Sequence, residues 1–172
     1  MRRTIAALVT FLVLVIPARV FAKGDTVKIT ITGAGLQAPI EITDPKVLTN
    51  FQVWTGLGTG SDAPGFNPNT PGFIIDWSKG ATTEPPRKFP RYEVSFYAKL
   101  PNERLIYVVC YEYDPLTKQG YVYLPGKADR DYWLNVGTIF RHVEGSWFPA
   151  WSKWDDVARP FIVDTRWQLL SS

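Results

Sequence analysis

Apolar and polar positions alternate along much of the chain after residue 25. Val27, Ile29 and Ile31 alternate with Lys28, Thr30 and Thr32, the period of two that lays one face of a strand on a core. Gly33-Ala34-Gly35 supplies the backbone freedom of a turn, and Ile40 and Ile42 resume the alternation, which predicts a hairpin. The strongest signal lies at the centre. Val94, Phe96, Ala98 and Leu100 alternate with Glu93, Ser95, Tyr97 and Lys99, and Pro101-Asn102-Glu103 turns the chain. Leu105 to Tyr113 is almost entirely β-branched or aromatic, as a strand covered on both faces would be. A turn from Asp114-Pro115 to Gly120 and a return strand at Tyr121 to Leu124 complete a predicted antiparallel meander.

Weaker patterns fill the rest. Phe73 to Trp77 reads as a short strand, and Tyr132 to Phe140 as another. Asp44-Pro45 is an N-cap followed by proline at the first helical position, with Val47, Leu48 and Phe51 at helical spacing behind it. This predicts a helix of about two turns. Ser152-x-x-Asp155 resembles a capping box, and Pro160 is expected to stop the helix that it opens. Phe161 to Leu170 fits strand or helix equally. No internal repeat and no βαβ alternation is visible. The expected architecture is mainly β: an antiparallel sandwich or open barrel of about seven or eight short strands with two short helices.

The first 22 residues change the electrostatic picture. Met1-Arg2-Arg3 precedes an apolar run from Ile5 to Ile16, and Val20-Phe21-Ala22 suits signal peptidase, so residues 1–22 read as a cleavable signal peptide. As a helix the run would span about 18 Å, well short of a roughly 30 Å hydrocarbon core. Residues 23–172 then form a single domain, secreted or periplasmic, with no transmembrane segment once the leader is gone. Arg2, Arg3 and Arg19 leave with the leader. The remainder holds 16 of the 19 basic residues against 16 acidic ones and is formally neutral. Nucleic-acid binding needs a basic footprint. Only Arg87, Lys88 and Arg91 cluster, so no nucleic-acid partner is expected. Cys110 is the single cysteine, which excludes an intramolecular disulfide.

Catalytic patterns are sparse. His142 is the only histidine, and no Gly-x-Ser-x-Gly elbow accompanies it. A Cys110–His142 pair is conceivable, but Cys110 lies in the most apolar strand, where a thiol packs as a small inert hydrophobe with a raised pKa. One His and one Cys do not make a zinc site. Calcium would need oxygen ligands, for which Asp62, Asn67, Asn69 and Asp76, or Asp129 and Asp131, are the weak clusters. Neither has calcium-loop spacing, and no metal or cofactor is expected. Gly56-Leu57-Gly58-Thr59-Gly60 lacks the spacing of a phosphate loop. Glu93, Glu112 and Glu144 are the candidates for a glycosidase-type carboxylate pair, with Glu93 and Glu112 facing each other across the central hairpin.

Aromatic residues are the remaining signal. All seven Trp and all eight Tyr follow the leader, and most must be core. Trp147, Trp151 and Trp154 read as core. Trp54 and Trp77 instead flank the Gly/Pro-rich stretch from Gly56 to Gly72, where rigid rings beside a loop make a recognition surface. Trp54, Asp76 and Trp77 are therefore the candidate binding residues.

The strings Ile42-Thr43-Asp44-Pro45-Lys46-Val47-Leu48…Phe51-Gln52-Val53-Trp54, Gly120-Tyr121-Val122-Tyr123-Leu124-Pro125-Gly126 and Glu144-Gly145-Ser146-Trp147-Phe148 resemble secreted bacterial proteins without an assigned function. The resemblance covers most of the chain after the leader and implies a bacterial exported domain. With no assembled catalytic set, the leading expectation is a non-catalytic exported domain that binds a protein or glycan partner of the cell envelope. The alternatives are an envelope hydrolase using a carboxylate pair, and a structural or assembly component pairing through a sheet edge.

Overall fold

The computed structural model describes residues 24–59, 73–85, 89–99 and 101–170, with side chains through Ile162. Residues 1–22, expected to be a leader, the Asp62/Asn67/Asn69 cluster and Arg87-Lys88 lie outside these residues. The fold is mainly β. Among the described residues, six antiparallel strands form one open sheet in the order β2-β1-β3-β4-β5-β6. They are β1 (Thr26–Gly33), β2 (Ile40–Ile42), β3 (Arg91–Lys99), β4 (Glu103–Asp114), β5 (Gln119–Tyr123) and β6 (Trp147–Pro149). Three helices accompany them: α1 (Pro45–Leu48), α2 (Tyr132–Thr138) and α3 (Ser152–Leu170).

The hairpin and the meander form where alternation predicts them. Gly33, Ala34 and Gly35 all take positive φ (105°, 38° and 84°) in the β1–β2 turn. Ile29 and Ile31 are buried, but Val27 is only half-buried. The register slips between Thr26 and Lys28, so Val27 is the extra residue of a bulge and Thr26 takes the inward place. In β4, Ile106 to Val109 and Tyr111 to Asp114 are buried, as its composition predicts. One sheet face is the core. Val94, Phe96, Tyr107, Val109, Tyr111 and Val122 meet Phe51, Val53, Phe73 and Ile74 from the loops and Trp154, Ala158 and Ile162 from α3. Rings dominate it: Phe73 contacts Phe96 and Tyr107 at 5.1 and 5.6 Å between centroids, and Trp154 contacts Phe51 and Tyr111 at 5.2 and 6.0 Å.

Four expectations at the element level are corrected. Tyr132–Thr138 is helix, not strand, and Phe73–Trp77 contributes only an isolated bridge from Ile75 to Ala150 before a 3₁₀ turn at Trp77–Lys79. α1 is a single turn, with Asp44 Oδ1 accepting from the Lys46 N–H at 2.8 Å as its cap. α3 runs through Pro160 to Leu170 instead of stopping there. Among the described residues, no helix is long and apolar enough to cross a membrane.

Two side-chain amides finish the sheet where neighbouring strands are too short. β5 pairs with β4 only from Cys110 onward. At Val108, Asn135 of α2 takes the place of a strand, accepting from the backbone N–H at 2.8 Å and donating to the carbonyl at 2.6 Å. At the other end of the sheet, Gln52 Oε1 accepts from Thr26 N–H at 3.0 Å. The outer edge of β6 is covered by backbone bonds from Asp76 to Pro149 and from Thr82 to Trp147.

Candidate functional site

The segment from Asp129 to Gly145 is anchored more heavily than its irregular sequence suggests. Its centre is Arg141, which is 1% exposed. The guanidinium donates to the carbonyls of Val53 (2.6 Å), Thr55 (2.9 Å) and Leu57 (2.8 Å) and to the Tyr107 hydroxyl (3.1 Å). It also lies over the rings of Phe73, Tyr107 and Trp77 at 4.6, 5.2 and 5.3 Å. A buried cation is tolerable when its donors are satisfied and π faces surround it. Burial pushes the Tyr107 hydroxyl pKa up, with the Arg141 charge and hydrogen bond opposing. The Arg141 N–H donates to Glu144 Oε1 at 2.7 Å, closing a turn in which His142 takes φ 66°. Gly58, at φ 73°, lies so close to the Phe140 carbonyl that any Cβ there would collide with it. The 51–59 loop and the 140–141 backbone therefore form one clamped unit.

The 129–145 segment carries two of the large rings that the core leaves exposed, a third being Phe161 on α3. Trp133 is 69% exposed and Phe140 47% exposed. Trp133 meets Tyr132 edge-on at 5.0 Å, and Phe140 lies against His142 at 4.2 Å. Asn135 and Ile139, between them, are buried. Gly137 has open space where a Cβ would stand, so the fold itself does not require glycine there, although glycine inside a helix costs about 1 kcal/mol against alanine.

Trp54, Asp76 and Trp77 each have a structural occupation. The Trp54 indole N–H donates to the Gly24 carbonyl at 2.5 Å. Trp77 stacks on Phe73 at 6.4 Å and meets Phe148 at 5.2 Å, and Gly56 packs directly on its indole nitrogen. Asp76 caps the 3₁₀ turn through Ser78 and pairs with Lys79 at 3.2 Å. Burial raises the Asp76 pKa, but the bonds from Ser78 and Lys79 outweigh it and the net direction is down. The two tryptophans thus have different neighbours. Trp133 and Phe140 escaped sequence reasoning, because a strand at Tyr132–Phe140 hides which rings point outward.

The second face of the sheet holds the carboxylates. Register puts Glu93 opposite Cys110 and Arg91 opposite Glu112, so Glu93 and Glu112 share a face, one diagonal apart. Glu112 accepts from Arg91 Nε at 2.8 Å and Glu93 from Arg130 at 2.5 Å. The Arg91 guanidinium lies over Trp147 at 5.4 Å. Cys110 is half-buried beside them, and burial pushes its thiol pKa up. Asp129 accepts from Tyr123 and Gly126, and Asp131 from Arg130. Among the described residues, no group of three or more His, Cys, Asp or Glu side chains is placed to hold a metal ion. No protein-family model, curated protein or solved structure matches the chain.

Proposed function

We propose that the chain is an exported, non-catalytic domain that binds a protein or glycan partner of the bacterial cell envelope through the surface around α2. The observation that carries this reading is the pair of exposed rings, Trp133 and Phe140, on a segment held by Asn135 and Arg141. Isolated exposed apolar residues are ordinary on any protein. Two large rings on a locked backbone are different, since a rigid aromatic surface binds with little loss of conformational freedom. The neutral balance of the chain after residue 22 and its leader-like start support export as the setting.

A hydrolase built on Glu93 and Glu112 draws support from their shared face. It ranks lower because arginines occupy both carboxylates, and the third candidate, Glu144, is used to hold the Arg141 turn. A sheet-edge assembly role ranks lower too, since Asn135 and the 76–82 segment cover the edges that they meet.

The test is co-sedimentation with purified bacterial envelopes. The native protein should pellet with them, and the double variant Trp133→Ala/Phe140→Ala should remain in the supernatant with an unchanged melting temperature. Equal pelleting of the two proteins would refute this surface.

A further inference from the structure

β2 ends at Ile42, opposite Ile29, so on that side nothing in the sheet continues alongside the first residues of β1, which pair only with β3. The chain turns instead into α1, leaving an open cleft of about 490 Å³ between α1 and the start of β1. That size lies within the roughly 300–1,000 Å³ of small-molecule sites. Val27, Pro45 and Leu48 supply its apolar lining, and Asp25, Thr43, Thr49 and Gln52 its polar groups. The Gln52 amide is fixed there, because its oxygen accepts from Thr26 N–H and its nitrogen donates to the Leu48 carbonyl at 2.8 Å. The Thr49 hydroxyl donates to the Pro45 carbonyl at 2.9 Å and keeps lone pairs for a ligand. Asp25, Thr43 and Thr49 are exposed, so their polar groups are open to a ligand.

An apolar wall, donors and acceptors on neutral side chains and a single carboxylate define a ligand chemistry. The wall takes the C–H face of a saturated ring. The hydroxyls and the amide take ring hydroxyls. The carboxylate takes one protonated amine. We propose that this cleft is a binding site for a hexosamine-type sugar, with its ammonium on Asp25. The site is separate from the Trp133/Phe140 surface and stands or falls independently of it.

The experiment follows backbone amide shifts of the ¹⁵N-labelled protein during titration with glucosamine, and with glucose as the ring lacking the amine. Glucosamine should give saturable shifts clustered at Asp25–Val27, Thr43 and Thr49–Gln52, with glucose binding more weakly at the same amides. Asp25→Asn should weaken glucosamine binding about threefold and leave glucose binding unchanged, the effect of losing one exposed ion pair. Thr43→Val should weaken both. Absence of saturable shifts at these amides, equal binding of the two sugars, or glucosamine binding unaltered by Asp25→Asn would each overturn the proposal.

Discussion

At the scale of single residues, Arg141 does what no motif announces. Its planar fork reaches three carbonyls and a hydroxyl at once, which a lysine ammonium cannot do. Arg141→Met should therefore destabilise the fold by about 3–5 kcal/mol in urea unfolding, with Arg141→Lys recovering less than half, because buried carbonyls lose their donors. Sequence reading passed over it, since an arginine in Phe140-Arg141-His142 looks like any solvated cation. Asp155 is a second such residue. Its carboxylate accepts from Tyr111 Oη at 2.7 Å and from Gly120 N–H at 3.0 Å, tying α3 to the sheet. Burial nevertheless raises its pKa to about 6 against those hydrogen bonds, while the Tyr111 hydroxyl is pushed up by burial and by the neighbouring carboxylate. A raised folded-state pKa means that the folded protein binds more protons than the unfolded chain between about pH 4 and 6. Stability contributed by Asp155 is thus full below that window and lost as pH rises through it. Chemical denaturation should show a decline of about 2–3 kcal/mol across the window. Asp155→Asn should flatten it, and an unchanged slope in that variant would assign the decline elsewhere.

At the scale of elements, alternation guides well where one sheet face is buried, as in β1 and β3, and an unbroken apolar run marks β4, buried on both faces. Such patterning misleads at Tyr132–Phe140, where β-branched and aromatic residues suit a strand by propensity. The structure turns that segment into α2 because a helix brings Asn135 to the unpaired backbone of Val108 and buries Ile139 one turn on. Tertiary demand overrides local preference there. Asn135→Ala should cost about 2–4 kcal/mol by leaving two buried backbone groups unsatisfied. Hydrogen exchange at Val108 should accelerate in that variant more than at Val94, on a strand paired along both sides. Uniform acceleration would mean that Asn135 supports the fold globally and not this edge. α3 shows the same logic. Trp154, Ala158 and Ile162, at spacings of four, are buried along one stripe, and their burial outweighs the hydrogen bond lost at the exposed Pro160.

At the scale of the whole molecule, one sheet face is spent on an aromatic core and the other on paired charges. Two of the exposed rings, Trp133 and Phe140, lie on α2 and its following turn, and a third, Phe161, lies on α3. The β class, the meander and the Asp44 cap are legible in the sequence, whereas Cys110, expected buried, is half-buried beside Glu93 on the charged face. The sequence did not carry the choice of surface, because exposure depends on which elements happen to cover a ring. Trp54 and Trp77, which flank a loop in sequence, are tied into packing, whereas Trp133 lies in a segment whose composition suits a strand but which folds as a helix. Of the tryptophans with described side chains, Trp133 alone is exposed, and that makes it a natural reporter. In a Trp167→Phe background, acrylamide quenching of tryptophan fluorescence should reveal an accessible fraction that vanishes when purified envelopes are added, and a further Trp133→Phe change should remove that fraction from the start. Quenching of the native protein that stays the same with and without envelopes would contradict the account.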